Sequence, residues 1–401
     1  MASPTSFLTR PQNVPLRKAL FQIHFWTGVA ICLYVVIVST TGAVLVFRLQ
    51  MQKAMFPQLF TATAGEPADA GTMLERVSDA FPNGRIYGID APTHDRPTTL
   101  AYVEPPGQGI LAVLIDPATG KVLGQLPKRS VFDVIGQLHG NLLAGRIGRK
   151  ANLAGSLLIL VLCVTGLVIW WPGISTWRSG FVVNPRRSWR RINWELHGAV
   201  GIWTVALIAV FAATGIYFAA HSQVQSLVNA ISPLKTTVVP ESNPAGATAS
   251  RPSWRQLIAR AQSRVPDQHV FRVVPPGGER ETFQVAFSPT RPAPAAPGQL
   301  TLVYLDQYTG EILKEARPAD RSPGDHVMEW LAPLHVGDFG GLGVRILWFI
   351  AGLAPAVLAV TGFVMWWLRV IRPRWPGRGV DGIGTTAKPS GTRASPRTIP
   401  S

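Results

Sequence analysis

Two histidine-to-Thr-Gly spacings, each used twice and each attached to a long apolar run, divide this chain into two copies of one unit. His24 lies 17 residues before Thr41-Gly42, and His197 lies 17 residues before Thr214-Gly215. His139 lies 26 residues before Thr165-Gly166, and His335 lies 26 residues before Thr361-Gly362. Both of the latter runs close on a tryptophan pair, Trp170-Trp171 and Trp366-Trp367. A repeat of this kind predicts an internal duplication that brings four histidines to equivalent positions.

The apolar runs set the class. Four stretches, roughly 23–47, 153–171, 196–220 and 344–368, each hold about 19 to 25 predominantly apolar residues, against the ~20 that cross a bilayer. The first run is longer than the ~7–15 residues of a signal-peptide core, which predicts a retained span. The net charge of +16 is distributed unevenly. Residues 1–20 hold three Lys/Arg and no acid, residues 172–196 five Arg against Glu195, and residues 369–401 seven Lys/Arg against Asp381. The two long connections are balanced, with eight basic and nine acidic residues over 48–138 and eleven of each over 222–343. The positive-inside rule then predicts cytoplasmic termini, a cytoplasmic middle loop and two outward loops, in a bacterial inner membrane with a periplasm outside. Because the arginines hug the membrane ends and no basic domain stands apart, the charge does not predict a nucleic-acid partner. Cys32 and Cys163 fall inside predicted spans, so the outward loops are expected to fold without disulfides.

The outward loops repeat one order of elements. In the first, helical spacing over 71–81 is followed by β-like runs at 85–89, 98–103 and 110–115. A turn at Asp116-Pro117-Ala118-Thr119-Gly120 leads into 121–123. In the second, a helix over 253–265 precedes strands at 270–274, 282–287 and 302–305, and then Asp306-Gln307-Tyr308-Thr309-Gly310. Pro-rich stretches at 240–252 and 289–297 read as flexible connections, and the last thirty or so residues as a disordered basic tail.

The segments LIDPATGKVLG at 114–124 and VYLDQYTGEILKE at 303–315 resemble the PepSY module. The whole layout, with its LHG and TG…WW segments, resembles the PepSY-associated transmembrane family over roughly residues 15–370. The expected fold is a mainly α membrane protein, a four-helix transmembrane bundle from an internal duplication carrying two small α+β PepSY-like periplasmic modules. The expected parts are a cytoplasmic N-terminus (1–20), a first span (21–48), module one (49–138), an interfacial segment with the second span (139–171) and a basic cytoplasmic loop (172–195). The third span (196–221), module two (222–334), an interfacial segment with the fourth span (335–368) and the tail (369–401) complete the chain. The resemblance further implies an iron-regulated inner-membrane protein, similar to ferric-siderophore reductases that hold b-type haem between four helices. Membrane lipid and a periplasmic ferric chelate or siderophore are the implied partners.

The histidines carry the chemistry. His24 and His197 sit at the same depth on helices related by the repeat, which is the placement that two axial ligands of one haem iron require. The alternative for each is an interfacial histidine touching headgroups or a carbonyl. His139 and His335 form an outer pair. A straight helix from His139 to Trp171 would run ~48 Å, so glycines at 140, 145 and 148, and at 337, 340, 341 and 343, are expected to break these segments at the outer surface. His221 is an alternative outer ligand, with Arg48 as its repeat counterpart and a candidate partner for a haem propionate. His94, His269 and His326 read as surface residues. Gly28 and Gly201 permit either close approach of a flat cofactor or small-residue helix packing, and the Thr-Gly pairs carry the same two readings, packing first. The tryptophan pairs read as an interfacial belt. The expected cofactor is haem b, two per chain, and no catalytic residue is assigned.

No nucleotide, flavin or iron–sulfur motif is apparent, so electrons are expected from a cytoplasmic reductase or membrane quinol. Arg96 and Arg272 are candidates for substrate contact in the loops. Two other classes stay open: a non-redox, PepSY-type peptide- or peptidase-binding regulator, and an iron or chelate transporter. The transporter reading wants broken helices, for which Pro355 is the sequence's one hint.

Overall fold

The computed structural model describes residues 15–128, 130–235, 239–246, 251–290 and 298–372. The Pro-rich stretches 240–252 and 289–297, the N-terminus and the basic tail lie wholly or partly outside the described residues.

The chain opens with α1 (Pro15–Ala30) and α2 (Cys32–Val46), whose axes meet at 66°. The sequence predicts one straight span here. The helix instead breaks at Ile31, whose backbone (φ −102°, ψ 8°) has left helical geometry. The short α3 (Arg48–Met55) follows, then α4 (Ala70–Ala80) and strands β1 (Arg85–Asp90), β2 (Thr99–Glu104), β3 (Leu111–Ile115) and β4 (Val122–Gln125). Next come α5 (Val131–Asn141), α6 (Gly145–Trp170), α7 (Trp189–Ala219) and α8 (His221–Ile231). The second copy of the loop supplies α9 (Trp254–Arg264), β5 (His269–Val274), β6 (Phe283–Ser288), β7 (Thr301–Leu305) and β8 (Ile312–Ala316). α10 (Pro323–Val336) and α11 (Gly341–Trp366) close the described chain.

Three helices are long and apolar enough to cross a membrane, or four spans if the bent α1–α2 pair counts as one. Much of their surface is apolar and exposed, including Leu157, Val164, Trp203, Ile350 and Phe363, as expected where lipid rather than water is the solvent. α11 packs against α2 and α7, and α6 packs against α7 and α1. Small residues set these approaches: a Cβ on Gly155 would lie 2.2 Å from the Tyr34 ring, so α6 meets α2 only because that position has no side chain.

All eight strands form one antiparallel sheet in the order β4-β3-β2-β1-β5-β6-β7-β8. Sequence reading suggests two separate modules; the structure fuses them. At the seam Ile89 pairs with Val273 and Asp90 with Arg272. α4 and α9 cover one face, and a single core joins Leu74, Val77 and Val113 of the first copy with Leu257, Val285 and Phe287 of the second. A four-strand half-sheet would leave β1 or β5 as an open edge, which the seam removes.

Both Asp-x-x-Thr-Gly turns do structural work. Asp116 Oδ1 accepts from the amides of Ala118 (3.0 Å) and Thr119 (2.9 Å), and its Oδ2 accepts from Thr63 N (2.7 Å). Asp306 repeats this with Tyr308 (2.8 Å), Thr309 (2.9 Å) and Asn243 (2.7 Å). Gly120 and Gly310 take φ of +69° and +71°, which a side chain would strain. The motif therefore closes a hairpin and pins the chain segment that enters each copy.

Candidate metal centre

The outer histidines reach the helix core through two hairpins. α5 is capped by Ser130 and Asp133 in a reciprocal box and ends at Leu142 and Leu143, both left-handed (φ 51° and 59°). The chain then turns back as α6. A Cβ on Gly148 would sit 1.6 Å from the Asn141 carbonyl oxygen, so the return is closed by a glycine. In the second copy, α10 is boxed by Ser322 and Asp325 and ends on left-handed Gly337 (φ 76°) before α11. The expected breaks are therefore present, and they place His139 and His335 at the ends of short helices folded back on the long ones. One side chain ties each hairpin together: Asn152 Nδ2 donates to the His139 carbonyl (2.8 Å), and Trp348 Nε1 donates to the Leu334 carbonyl (2.7 Å).

Each histidine meets the Thr-Gly pair of another helix. His24 Nδ1 lies 2.9 Å from Thr165 Oγ1, and His197 Nδ1 lies 2.9 Å from Thr361 Oγ1. His335 Nδ1 lies 2.8 Å from Thr214 Oγ1, and His139 Nδ1 lies 3.3 Å from Thr41 Oγ1 and 2.9 Å from the Val38 carbonyl oxygen. Every one of these hydroxyls also sits 2.6–2.7 Å from the carbonyl oxygen four residues earlier in its helix, at Val161, Val357, Val210 and Ile37. The hydroxyl proton is thus committed to that carbonyl, and its oxygen is left to accept. Nδ1 must then carry the imidazole proton, which leaves the Nε2 lone pair for a metal. Among the described residues no hydrogen bond reaches Nε2 of any of the four.

The glycines following those threonines complete the fit. A Cβ on Gly42 would be 2.7 Å from His139 Cε1, on Gly166 3.0 Å from His24 Cε1, and on Gly362 3.3 Å from His197 Cε1. Gly215 differs: a Cβ there would meet Ser156 Oγ at 2.9 Å and His335 Cε1 only at 3.9 Å. Three of the four glycines thus lie directly against an imidazole ring, and the fourth packs α7 against α6.

The histidines assemble in two pairs. His24 and His197 have ring centres 6.4 Å apart, and His139 and His335 have ring centres 5.9 Å apart. Two imidazoles bound through Nε2 on opposite sides of one metal ion, at ~2.0–2.1 Å each, would have ring centres ~6.3 Å apart. Within α7, His197 belongs to one pair and Thr214 to the other, so the two levels are ~25 Å apart along the helix. No group of three or more His, Cys, Asp or Glu comes together among the described residues. Near the His24/His197 level, Arg17 Nε, Trp171 Nε1 and Trp366 Nε1 are buried donors with no partner among the described residues. Arg17 touches the Trp171 carbonyl oxygen at 3.5 Å.

Other candidates fall elsewhere. His221 is exposed and lies tilted against Tyr217 with ring centres 4.9 Å apart; among the described residues its ring pairs with neither outer histidine, and Phe218 lies 5.1 Å from His335. Arg48 forms an ion pair with Asp133 at 2.9 Å, holding the start of α5. Arg272 makes a two-pronged pair with Asp90 across the sheet seam, one prong at 2.7 Å. Arg96 is buried, donating to the carbonyls of Thr98 and Ala91. Both arginines offered for substrate contact are thus occupied by the fold. His94 is exposed beside Asp95, and His326 lies beside Glu329. His269 opens β5 and is exposed. Asn152 and Trp348 escape a reading centred on histidines, although each follows its histidine by 13 residues in both copies.

No curated protein matches this chain. The family model of the PepSY-associated TM region matches residues 21–369, which takes in both histidine pairs, the spans and the sheet. This is a membrane protein, and it belongs to the PepSY-associated TM region family.

Proposed function

We propose that this protein is a di-haem b reductase of a bacterial inner membrane. It would pass electrons from a donor on the basic side, a cytoplasmic reductase or quinol, to a ferric chelate such as a siderophore on the sheet side. The reading rests on one observation: four threonine hydroxyls lie 2.8–3.3 Å from Nδ1 of four histidines, which face each other in two pairs. When bound, haem iron supplies a one-electron Fe(III)/Fe(II) couple.

The chain's own residues fit that group. His24 and His197 would hold one haem, and His139 and His335 the other, while the threonines keep each imidazole oriented. Two histidines per group would hold it entirely through protein side chains, which suits electron transfer. Gly28 and Gly201 support the fit: a Cβ there would meet only Leu162 at 3.9 Å and Leu358 at 3.7 Å, so packing among described residues does not demand glycine, whereas a flat ring would. The orphaned donors of Arg17, Trp171 and Trp366 suit cofactor carboxylates. A ferric chelate accepting one electron becomes ferrous, and hard oxygen ligands that suit Fe(III) release it more readily.

The four-helix arrangement, the inward termini and the periplasmic, PepSY-type character of the two loop copies belong to this proposal. Reconstituted vesicles loaded with dithionite, with Fe(III)-citrate and ferrozine outside, test it. Wild-type protein should speed Fe(II) capture over empty vesicles, and H335A should lose at least about 90% of that gain. Equal rates in wild-type and empty vesicles would reject electron transfer and favour a non-redox binding role for the sheet. The transporter reading gains from the broken α1–α2 span, yet no charged residue lies at that break.

A further inference from the structure

The repeat is symmetric in its histidines and asymmetric in its charges. Arg345 and Arg149 occupy the same position of the two copies, 196 residues apart, each near the sheet-side start of its long helix. Arg345 is buried and held by two carboxylates, Asp95 and Asp338, each at 2.6 Å. Arg149 has neither. Asp338 is replaced by Leu142 at the corresponding position, and two more cations, Arg146 and Lys150, join Arg149. Among the described residues none of these three makes an ion pair or a side-chain hydrogen bond. Their placement is unfavourable twice over. They sit in the first two turns of α6, where the helix dipole is positive, and on the membrane face opposite the three basic segments of the chain. An anion from outside the chain would offset both costs.

The same three side chains line a groove of about 520 Å³ between α6, α7 and α8, whose remaining wall is apolar apart from Gln223 and includes Ile216, Val224 and Leu227. That wall continues onto exposed apolar surface along α8, with Leu227 63% exposed and Ile231, one turn further on, 80% exposed. A small hydrophilic anion would meet the cations and leave this apolar surface uncovered. An amphiphile satisfies both. We propose that this groove binds an anionic phospholipid of the leaflet beneath the sheet, with its phosphate among Arg146, Arg149 and Lys150 and an acyl chain along Ile216, Val224 and Leu227. The site is one-sided, because the second copy has already filled the equivalent place with its own aspartates. It is independent of the redox reading above.

The test uses the full chain in detergent, titrated with phosphatidylglycerol or phosphatidylcholine and read by native mass spectrometry, with haem per chain measured in parallel. Wild-type protein should prefer phosphatidylglycerol, and R146Q/R149Q/K150Q should weaken its binding by at least about 10-fold. R186Q/R190Q, on the opposite face, should change nothing, and the single variant R149Q provides an intermediate loss if the triple variant is poorly folded. Equal binding of the two lipids, unchanged phosphatidylglycerol binding in R149Q and the triple variant, or full displacement by inorganic phosphate would overturn the proposal. So would loss of haem with lipid binding intact, which would reassign the cations to cofactor carboxylates.

Discussion

A threonine hydroxyl serves as a pure acceptor only after its own proton has been placed, and in this protein the helix places it. Thr41, Thr165, Thr214 and Thr361 each give the proton to a carbonyl one turn back and turn the oxygen toward a histidine. Val at position 361 keeps the shape and removes the acceptor from His197. T361V is therefore expected to keep its fold by circular dichroism and to hold haem about 10–100-fold more weakly, measured by haem loss to a scavenging apoprotein. The glycines beside the threonines grade the same effect by distance. G42A, with a Cβ 2.7 Å from His139 Cε1, should lower haem content further than G362A, where the corresponding gap is 3.3 Å. Equal content in the two variants would show that the rings do not rest on these glycines. None of these pairings is legible in the sequence. The 17-residue spacing from His24 to Thr41 suggests partners, but that length of helix covers ~25 Å, so the matching threonine had to come from another element.

At the scale of elements, β1 to β7 and the helices α4 and α9 were legible to within a residue or two, because alternating apolar residues and tight turns are local signals, whereas β8, α3 and α8 were not read from the sequence. The β1–β5 seam was not, since nothing in either strand alone specifies its neighbour. Asp90 and Arg272 mark it. A double-mutant cycle with D90A and R272A, followed by chemical denaturation of the sheet, should return a coupling of about 1–2 kcal/mol. A coupling near zero would mean the seam is held by backbone pairing and the shared core alone. The Asp-x-x-Thr-Gly turns add a pH dependence. Burial alone would raise the carboxyls of Asp116 and Asp306. Hydrogen bonds from Thr63 and Thr119 at Asp116, and from Asn243, Thr309 and Tyr308 at Asp306, outweigh it and hold both below the usual carboxylate range. A carboxyl lowered on folding stabilises the sheet fully above its unfolded value near ~3.9, and that contribution is lost as pH falls through the folded value. The thermal midpoint of the sheet should therefore drop below about pH 4, and D116N/D306N should flatten that drop while lowering the midpoint at neutral pH. An unchanged profile in the double variant would place the acid sensitivity elsewhere.

For the whole molecule, the duplication explains more than any single motif. It makes two levels of paired histidines, fuses two loop copies into one sheet, and leaves a charge difference between the copies that the histidine pattern conceals. Membrane class and family follow from the apolar runs and the repeat; the bend at Ile31 does not, because no proline announces it. The most direct measurement is the visible spectrum and pyridine haemochrome stoichiometry of the purified protein, alongside H197A and H335A. A b-type spectrum with about two haems per chain is expected in the wild type, and about one in each variant. A colourless wild-type protein expressed with haem available, or variants that keep the full complement, would contradict this.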